Sequence, residues 1–165
     1  MKTLFLPGFS TRNRDWMETT MHDLSDLKFI PIYWDHWNTN AESMNYEDQV
    51  NKIFDQLFEP VNILAKSIGT VVASKLINIG VKTNKILLCG LPINPLPEAK
   101  PEIELALNKL DSKNVLIFQN EKDPVGSYSD VSSWITNIQK DLKVVSKPRD
   151  DHSYPYSEEF KRFLS

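Results

Sequence analysis

Val61-Asn62-Ile63-Leu64-Ala65-Lys66-Ser67-Ile68-Gly69-Thr70-Val71-Val72-Ala73 is the stretch around which the chain is organised. Val61 to Leu64 reads as a buried strand. Beyond Ser67, the residues Ile68, Val71, Val72, Leu76 and Ile79 recur at helical spacing, so a helix starts at or just after the serine. A serine on so sharp a strand-to-helix turn needs small residues two positions to either side, because bulk there would strike the turned backbone. Ala65 and Gly69 supply that smallness. The pattern is the G-x-S-x-G nucleophile elbow with alanine in its first position. Such a turn exposes the Ser67 hydroxyl and aims the Ile68 backbone N–H and the helix N-terminus at one point, where an oxyanion could form. A second reading of the same residues makes Ser67 a plain helix cap.

Upstream, Lys2 to Leu6 is an apolar run that predicts a first strand, ended by Pro7-Gly8-Phe9-Ser10. Asp15 and Glu18 have the spacing of a capping box ahead of a helical face of Trp16, Met17, Met21 and Leu24. Phe29 to Trp34 predicts a second strand with Asp35-His36-Trp37-Asn38 as its exit. Tyr46, Val50, Ile53, Phe54, Leu57 and Phe58 form one helical stripe, with Ser43 as its N-cap and Pro60 as its stop.

Downstream, Gly80 closes the helix that follows Ser67. Lys85 to Cys89 predicts a fourth strand. Pro92, Pro95, Pro97 and Pro101 stiffen the next connection and argue against a regular element there. Pro101 suits the first turn of a helix running to about Leu110. Val115 to Gln119 and Leu142 to Ser146 predict strands five and six, with a helix marked by Val131, Trp134, Ile135 and Ile138 between them. Pro155 to Leu164 predicts a last helix with Tyr156, Phe160, Phe163 and Leu164 inward.

Six alternations of strand and helix predict an α/β three-layer sandwich: a mainly parallel six-stranded sheet with helices on both faces, formed by residues 1–165 as one domain. Ligands of such sheets bind at the carboxyl ends of the strands. That filter selects Phe9 after strand one, Ser67 after strand three, Asp123 after strand five and His152 after strand six. Ser67 alone is weak as a signal. Three chemically matched side chains arriving on separate loops at one sheet edge, in the order serine, acid, histidine, are much stronger. Asp123-Pro124 is also a common turn opener.

On these residues the chain resembles the α/β-hydrolase superfamily over nearly its whole length, and is similar to compact lidless esterases and lipases with an A-x-S-x-G elbow. The resemblance implies a minimal form of that fold, lacking the first two strands of larger members. Lys66 stands where the family more often has His, Asp or Glu, and Pro7 where many members have His. The roles that follow are Ser67 as nucleophile, His152 as its base, Asp123 as the acid that orients the histidine, and the Phe9 and Ile68 N–H groups as oxyanion hole. The expected activity is cleavage of a small acyl ester or thioester through an acyl-enzyme. A peptidase or amidase using the same triad, and a non-catalytic binding protein on the same fold, are the alternatives.

Composition bounds the rest. Hydrophobic residues at 41% and charged residues at 25% are ordinary for a soluble globular protein. A net charge of −3 without a basic stripe argues against nucleic acid as a partner. The single cysteine, Cys89, excludes an internal disulfide, and His22, His36 and His152 are too scattered for a metal site. No cofactor is expected, and the expected partner is a small acyl substrate. With no signal peptide and no long apolar run, a cytoplasmic location away from membranes is the default. His36 and Trp37, leaving strand two near the mouth, are candidates for an acyl pocket. The alternative is that they pack as an aromatic loop over the core edge.

Overall fold

The computed structural model describes residues 1–39 and 42–165. Six strands run in one direction: β1 (Lys2–Leu6), β2 (Lys28–Pro31), β3 (Val61–Lys66), β4 (Thr83–Cys89), β5 (Val115–Asn120) and β6 (Lys143–Lys147). Their order across the sheet is β2-β1-β3-β4-β5-β6, and every neighbouring pair is parallel. The central strands are apolar throughout because both of their faces are covered. All six residues of β3 are buried, while β2 and β6 lie at the edges and are only half-buried.

The helices are α1 (Arg12–Asp23), α2 (Tyr46–Phe54), α3 (Ile68–Asn78), α4 (Lys100–Leu107), α5 (Tyr128–Ile138) and α6 (Ser157–Leu164). The strand order fixes which share a layer. The chain steps one way from β1 to β2 and the other way from β3 onward, so right-handed crossovers put α1 on the face opposite α2 to α5. Contacts agree. Ser157 of α6 donates to Asp23 at the end of α1, and Lys161 pairs with Asp26 at 3.0 Å. On the other face, Trp134 of α5 donates to Glu104 of α4 at 2.6 Å.

Several local expectations change. The Asp15–Glu18 capping box does not form. Ser10 and Thr11 carbonyls accept from the Asn13 and Arg14 amides, which starts α1 earlier and leaves Asp15 in its first turn. Strand β2 ends at Pro31, short of Trp34; the Ile32 amide still donates to the Phe5 carbonyl at 3.0 Å, and the proline sits where its missing N–H would face the open edge of the sheet. Asn45, not Ser43, caps α2, its side chain accepting from the Asp48 amide at 3.1 Å. That helix stops at Phe54, well before Pro60. Gln56 and Leu57 donate three residues back, to Ile53 and Phe54, so the last turn tightens and Phe58 is left 90% exposed. The proline-rich connection holds a short 3-10 turn at Pro97–Ala99, and α4 starts at Lys100, one residue before Pro101.

The turn after β3 is the tightest point. Gly69 opens α3 directly against the end of β1. A Cβ at residue 69 would lie 2.1 Å from the Leu6 carbonyl oxygen and 2.8 Å from that of Pro7. Both obstacles are backbone, so neither can swing aside. Gly69→Ala should therefore destabilise the chain by at least about 2 kcal/mol, read as a lowered urea midpoint at unchanged slope; a wild-type midpoint would show that the helix can shift freely against β1.

Candidate active site

Ser67 occupies the bend between β3 and α3 with φ 53° and ψ −122°. Among the described residues no other non-glycine has positive φ. Such backbone is costly for a side chain carrying a Cβ and persists only where the surroundings impose it. Here its amide donates to the Cys89 carbonyl at 2.9 Å, and its carbonyl accepts from both the amide and the hydroxyl of Thr70. The Ser67 side chain makes no capping bond to the helix it precedes. That removes the plain-cap reading: the hydroxyl is displayed at the turn without serving it.

Asp123, from the loop after β5, is buried and fully engaged. One carboxylate oxygen accepts from the Val125 amide at 2.9 Å. The other accepts from Tyr154 Oη at 2.6 Å and lies 2.7 Å from His152 Nδ1. A carboxylate only accepts, so the proton of the His152 pair resides on Nδ1, and the acceptor of the neutral imidazole is then Nε2. Nε2 is buried and has no hydrogen-bond partner among the described residues. The loop carrying the histidine is pinned from below, because the Asn120 side-chain amide donates to the carbonyls of Asp151 and Ser153, one on each side of His152.

Gly90 brings these two loops together. It follows Cys89, whose carbonyl holds the Ser67 amide, and has φ 61°. A Cβ there would fall 2.6 Å from His152 Cε1. The imidazole therefore occupies space that only a glycine leaves open, one residue beyond the anchor of Ser67.

On the other side of Ser67 runs the loop after β1. Phe9, Ser67 and Ile68 together line a groove of about 480 Å³, with Met44, Pro92 and Leu96 among its apolar walls. Among the described residues, the Phe9 and Ile68 amides donate to no backbone or side-chain acceptor. His36 and Trp37, expected as pocket lining, stand elsewhere. Both are buried, and both ring nitrogens address the Phe9 carbonyl, His36 Nε2 at 2.7 Å and Trp37 Nε1 at 2.6 Å. They thus pack beneath the loop instead of facing the groove. The wall they were expected to form comes instead from Glu42, Ser43 and Met44, ahead of α2, and from Tyr46, its first residue.

Tyr154 also escaped the sequence reading. Its hydroxyl accepts from the Asn120 amide and donates to Asp123, and burial together with the carboxylate pushes its pKa up. Its place two residues after His152 was the available signal, but a tyrosine near a strand end is too common to single out.

Lys66 is the other polar residue with an unusual setting. It is 7% exposed and, among the described residues, has no carboxylate partner within ion-pair distance. Its ammonium donates to Asn13 Oδ1 at 2.7 Å and lies 5.2 Å from the centre of the Trp16 ring. Burial lowers its pKa. Cys89, beside it in the sheet register, is buried with its thiol pKa pushed up by burial. Among the described residues, no cluster of three or more His, Cys, Asp or Glu side chains could hold a metal ion, and no helix is long and apolar enough to cross a membrane.

A parallel sheet with an elbow serine and a strand-end acid and histidine is the arrangement of the α/β hydrolases. The chain belongs to the alpha/beta hydrolase domain family, whose model matches residues 37–161. No curated protein matches it by sequence. Solved structures resemble it along almost its full length. The ydeN gene product of B. subtilis is 12% identical with a TM-score of 0.66, covering 98% of this chain and 97% of its own. An a/b serine hydrolase without lid from Xanthomonas campestris is 12% identical, TM-score 0.68, covering 99% and 78%. An alpha-beta serine hydrolase homologue from Coxiella burnetii is 14% identical, TM-score 0.67, covering 99% and 83%. Family membership, with the fold shared by these neighbours, supports a hydrolase.

The Lys66 setting gives a test of this interior. A lysine whose pKa is lowered on folding holds fewer protons folded than unfolded, so its destabilising effect fades as pH rises toward the ordinary value of 10.5. The buried Cys89 thiol acts in the opposite direction, but it is present in wild type and in Lys66→Met alike. The stability of wild type relative to Lys66→Met should therefore improve as pH rises from neutrality, measured by urea unfolding. A difference that stays flat across that range would place the Lys66 ammonium in water.

Proposed function

We propose that the chain is a serine hydrolase cleaving a small acyl ester or thioester through an acyl-enzyme on Ser67. The observation that carries this reading is the state of His152. Its Nδ1 is held by a buried carboxylate, its Nε2 is buried with no partner among the described residues, and its ring packs against Gly90, next to the carbonyl that holds the Ser67 amide.

The chemistry follows from that arrangement. A serine hydroxyl is a weak nucleophile until a base takes its proton. His152 Nε2 takes it as Ser67 Oγ attacks the acyl carbonyl, and the Asp123 carboxylate stabilises the imidazolium without itself taking the proton. Negative charge builds on the former carbonyl oxygen, where the Phe9 and Ile68 N–H groups receive it, each contributing about 3 kcal/mol to lowering the barrier. The His152 proton then passes to the leaving alcohol or thiol. Water, deprotonated by His152, attacks the acyl-enzyme and releases the acid. Tyr154 and the Val125 amide keep Asp123 oriented throughout by hydrogen bonds to its carboxylate.

A fluorophosphonate probe followed by mass spectrometry tests the assignment. Wild type should gain one adduct, on Ser67, and Ser67→Ala none. Asp123→Asn should keep the fold and lose up to about 10⁴-fold in kcat, since an amide presents the histidine with the wrong partner. Adduct formation on a different serine, or none with folded protein, would instead favour a binding role for the fold.

The groove limits the acyl chain. Its walls are short loops and the first residues of α2 and α3, so each methylene within reach gains roughly 0.8 kcal/mol and each beyond it gains nothing. For acyl esters of increasing length, kcat/KM should rise about fourfold per carbon over the first few carbons and then flatten. A continuing rise into emulsified long-chain esters would contradict this reading.

A further inference from the structure

The loop after β1 has no regular structure, yet each of its carbonyls is held. Pro7 and Gly8 oxygens each lie 3.2 Å from Trp34 Nε1. The Phe9 oxygen is addressed by Trp37 and His36, and the Ser10 oxygen accepts from the Asn13 amide and side chain, both at 2.9 Å. Trp34 is 0% exposed, and its single N–H is shared between these two carbonyls.

The Gly8 carbonyl belongs to the same peptide unit as the Phe9 N–H. A trans peptide is planar, with its C=O and N–H pointing in opposite directions, and no peptide described here is cis. Fixing the Gly8 oxygen therefore fixes where the Phe9 N–H points. Trp37 and His36 fix the following peptide in the same way, and the Phe9 ring stacks on His36 at 4.2 Å between centroids. The two peptide planes that meet at the Phe9 Cα are thus both set by side chains from residues 34–37.

We infer that Trp34 and Trp37 are positioning residues for the oxyanion hole: their indole N–H groups grip the Gly8 and Phe9 carbonyls and thereby aim the Phe9 N–H into the groove beside Ser67. Neither lines the groove, so both act through the peptide backbone. The inference rests on Ser67 being the nucleophile.

Trp34→Phe and Trp37→Phe keep an aromatic body and remove the donor. With p-nitrophenyl acetate as substrate, each should lower kcat about 10- to 100-fold, because an oxyanion donor is misdirected but not deleted. KM should stay within about twofold of wild type, since the lost interaction matters in the transition state. The rate of fluorophosphonate labelling should fall in parallel, because the phosphoryl oxygen occupies the same site. A structural role alone would lower the melting temperature and leave the kcat of the folded fraction intact. That result in either variant that folds overturns the inference, while Ser67 labelling of wild type leaves the hydrolase reading standing. Wild type that gains no Ser67 adduct overturns both. Should Trp34→Phe fail to fold, Trp37→Phe, at the less buried of the two positions, decides the question.

Discussion

At Gly69 the first turn of α3 presses on the carbonyls that end β1, and no side chain of any kind fits between them. Much of the site depends on that approach. It pulls the start of the helix over the neighbouring strand, which forces the residue before it into positive φ. Ser67 is thereby lifted out of the sheet plane with its hydroxyl unused by the helix. The same contact lays the loop carrying Phe9 next to the first helical amide, that of Ile68. Two N–H groups from distant parts of the sequence then border one groove. The pairing of β1 with β3, Leu6 opposite Ala65, sets the height at which this happens.

A polar interior at the carboxyl ends of the strands keeps the loops in place. Gln119 accepts from the Leu91 amide and donates to the Gly126 carbonyl, joining the loops after β4 and β5. Asn120 joins the loop after β5 to that after β6, and Tyr154 returns from the latter to Asp123. Buried polar groups left unpaired are costly, each by about 1–3 kcal/mol. A loop that moved would leave several such groups stranded at once, so the network resists motion more than any one bond would. His152 Nε2 is one of the few buried polar atoms outside this satisfied set, and it is the atom the proposed chemistry needs free.

The order of secondary structure, the sheet edge that gathers the site, and the candidates Ser67, Asp123 and His152 were legible in the sequence because each rests on a local rule. Apolar runs alternating with amphipathic stripes encode parallel strands and crossover helices. Small residues at 65 and 69 encode a tight elbow. A strand end followed by a polar loop marks a place where chemistry can stand. Element ends were less legible, because they depend on hydrogen bonds that a pattern does not show. The apolar stripe of α2 continues past Phe54, but the backbone tightens there and Phe58 faces solvent.

The sequence by itself determined the architecture and the candidates for the site, since periodicity and residue type are properties of the chain alone. Tertiary structure decided how side chains far apart in the chain are used. His36 and Trp37 carry the same signature whether an aromatic side chain faces a pocket or the underside of a loop. Only their distance to the Phe9 carbonyl shows that they hold backbone. Tyr154 and Asn120 became parts of the site through bonds to Asp123 and to the carbonyls flanking His152. Lys66 is buried only because α1 packs Asn13 and Trp16 over it. In each case the decisive partner lies on another element, and no local pattern encodes it.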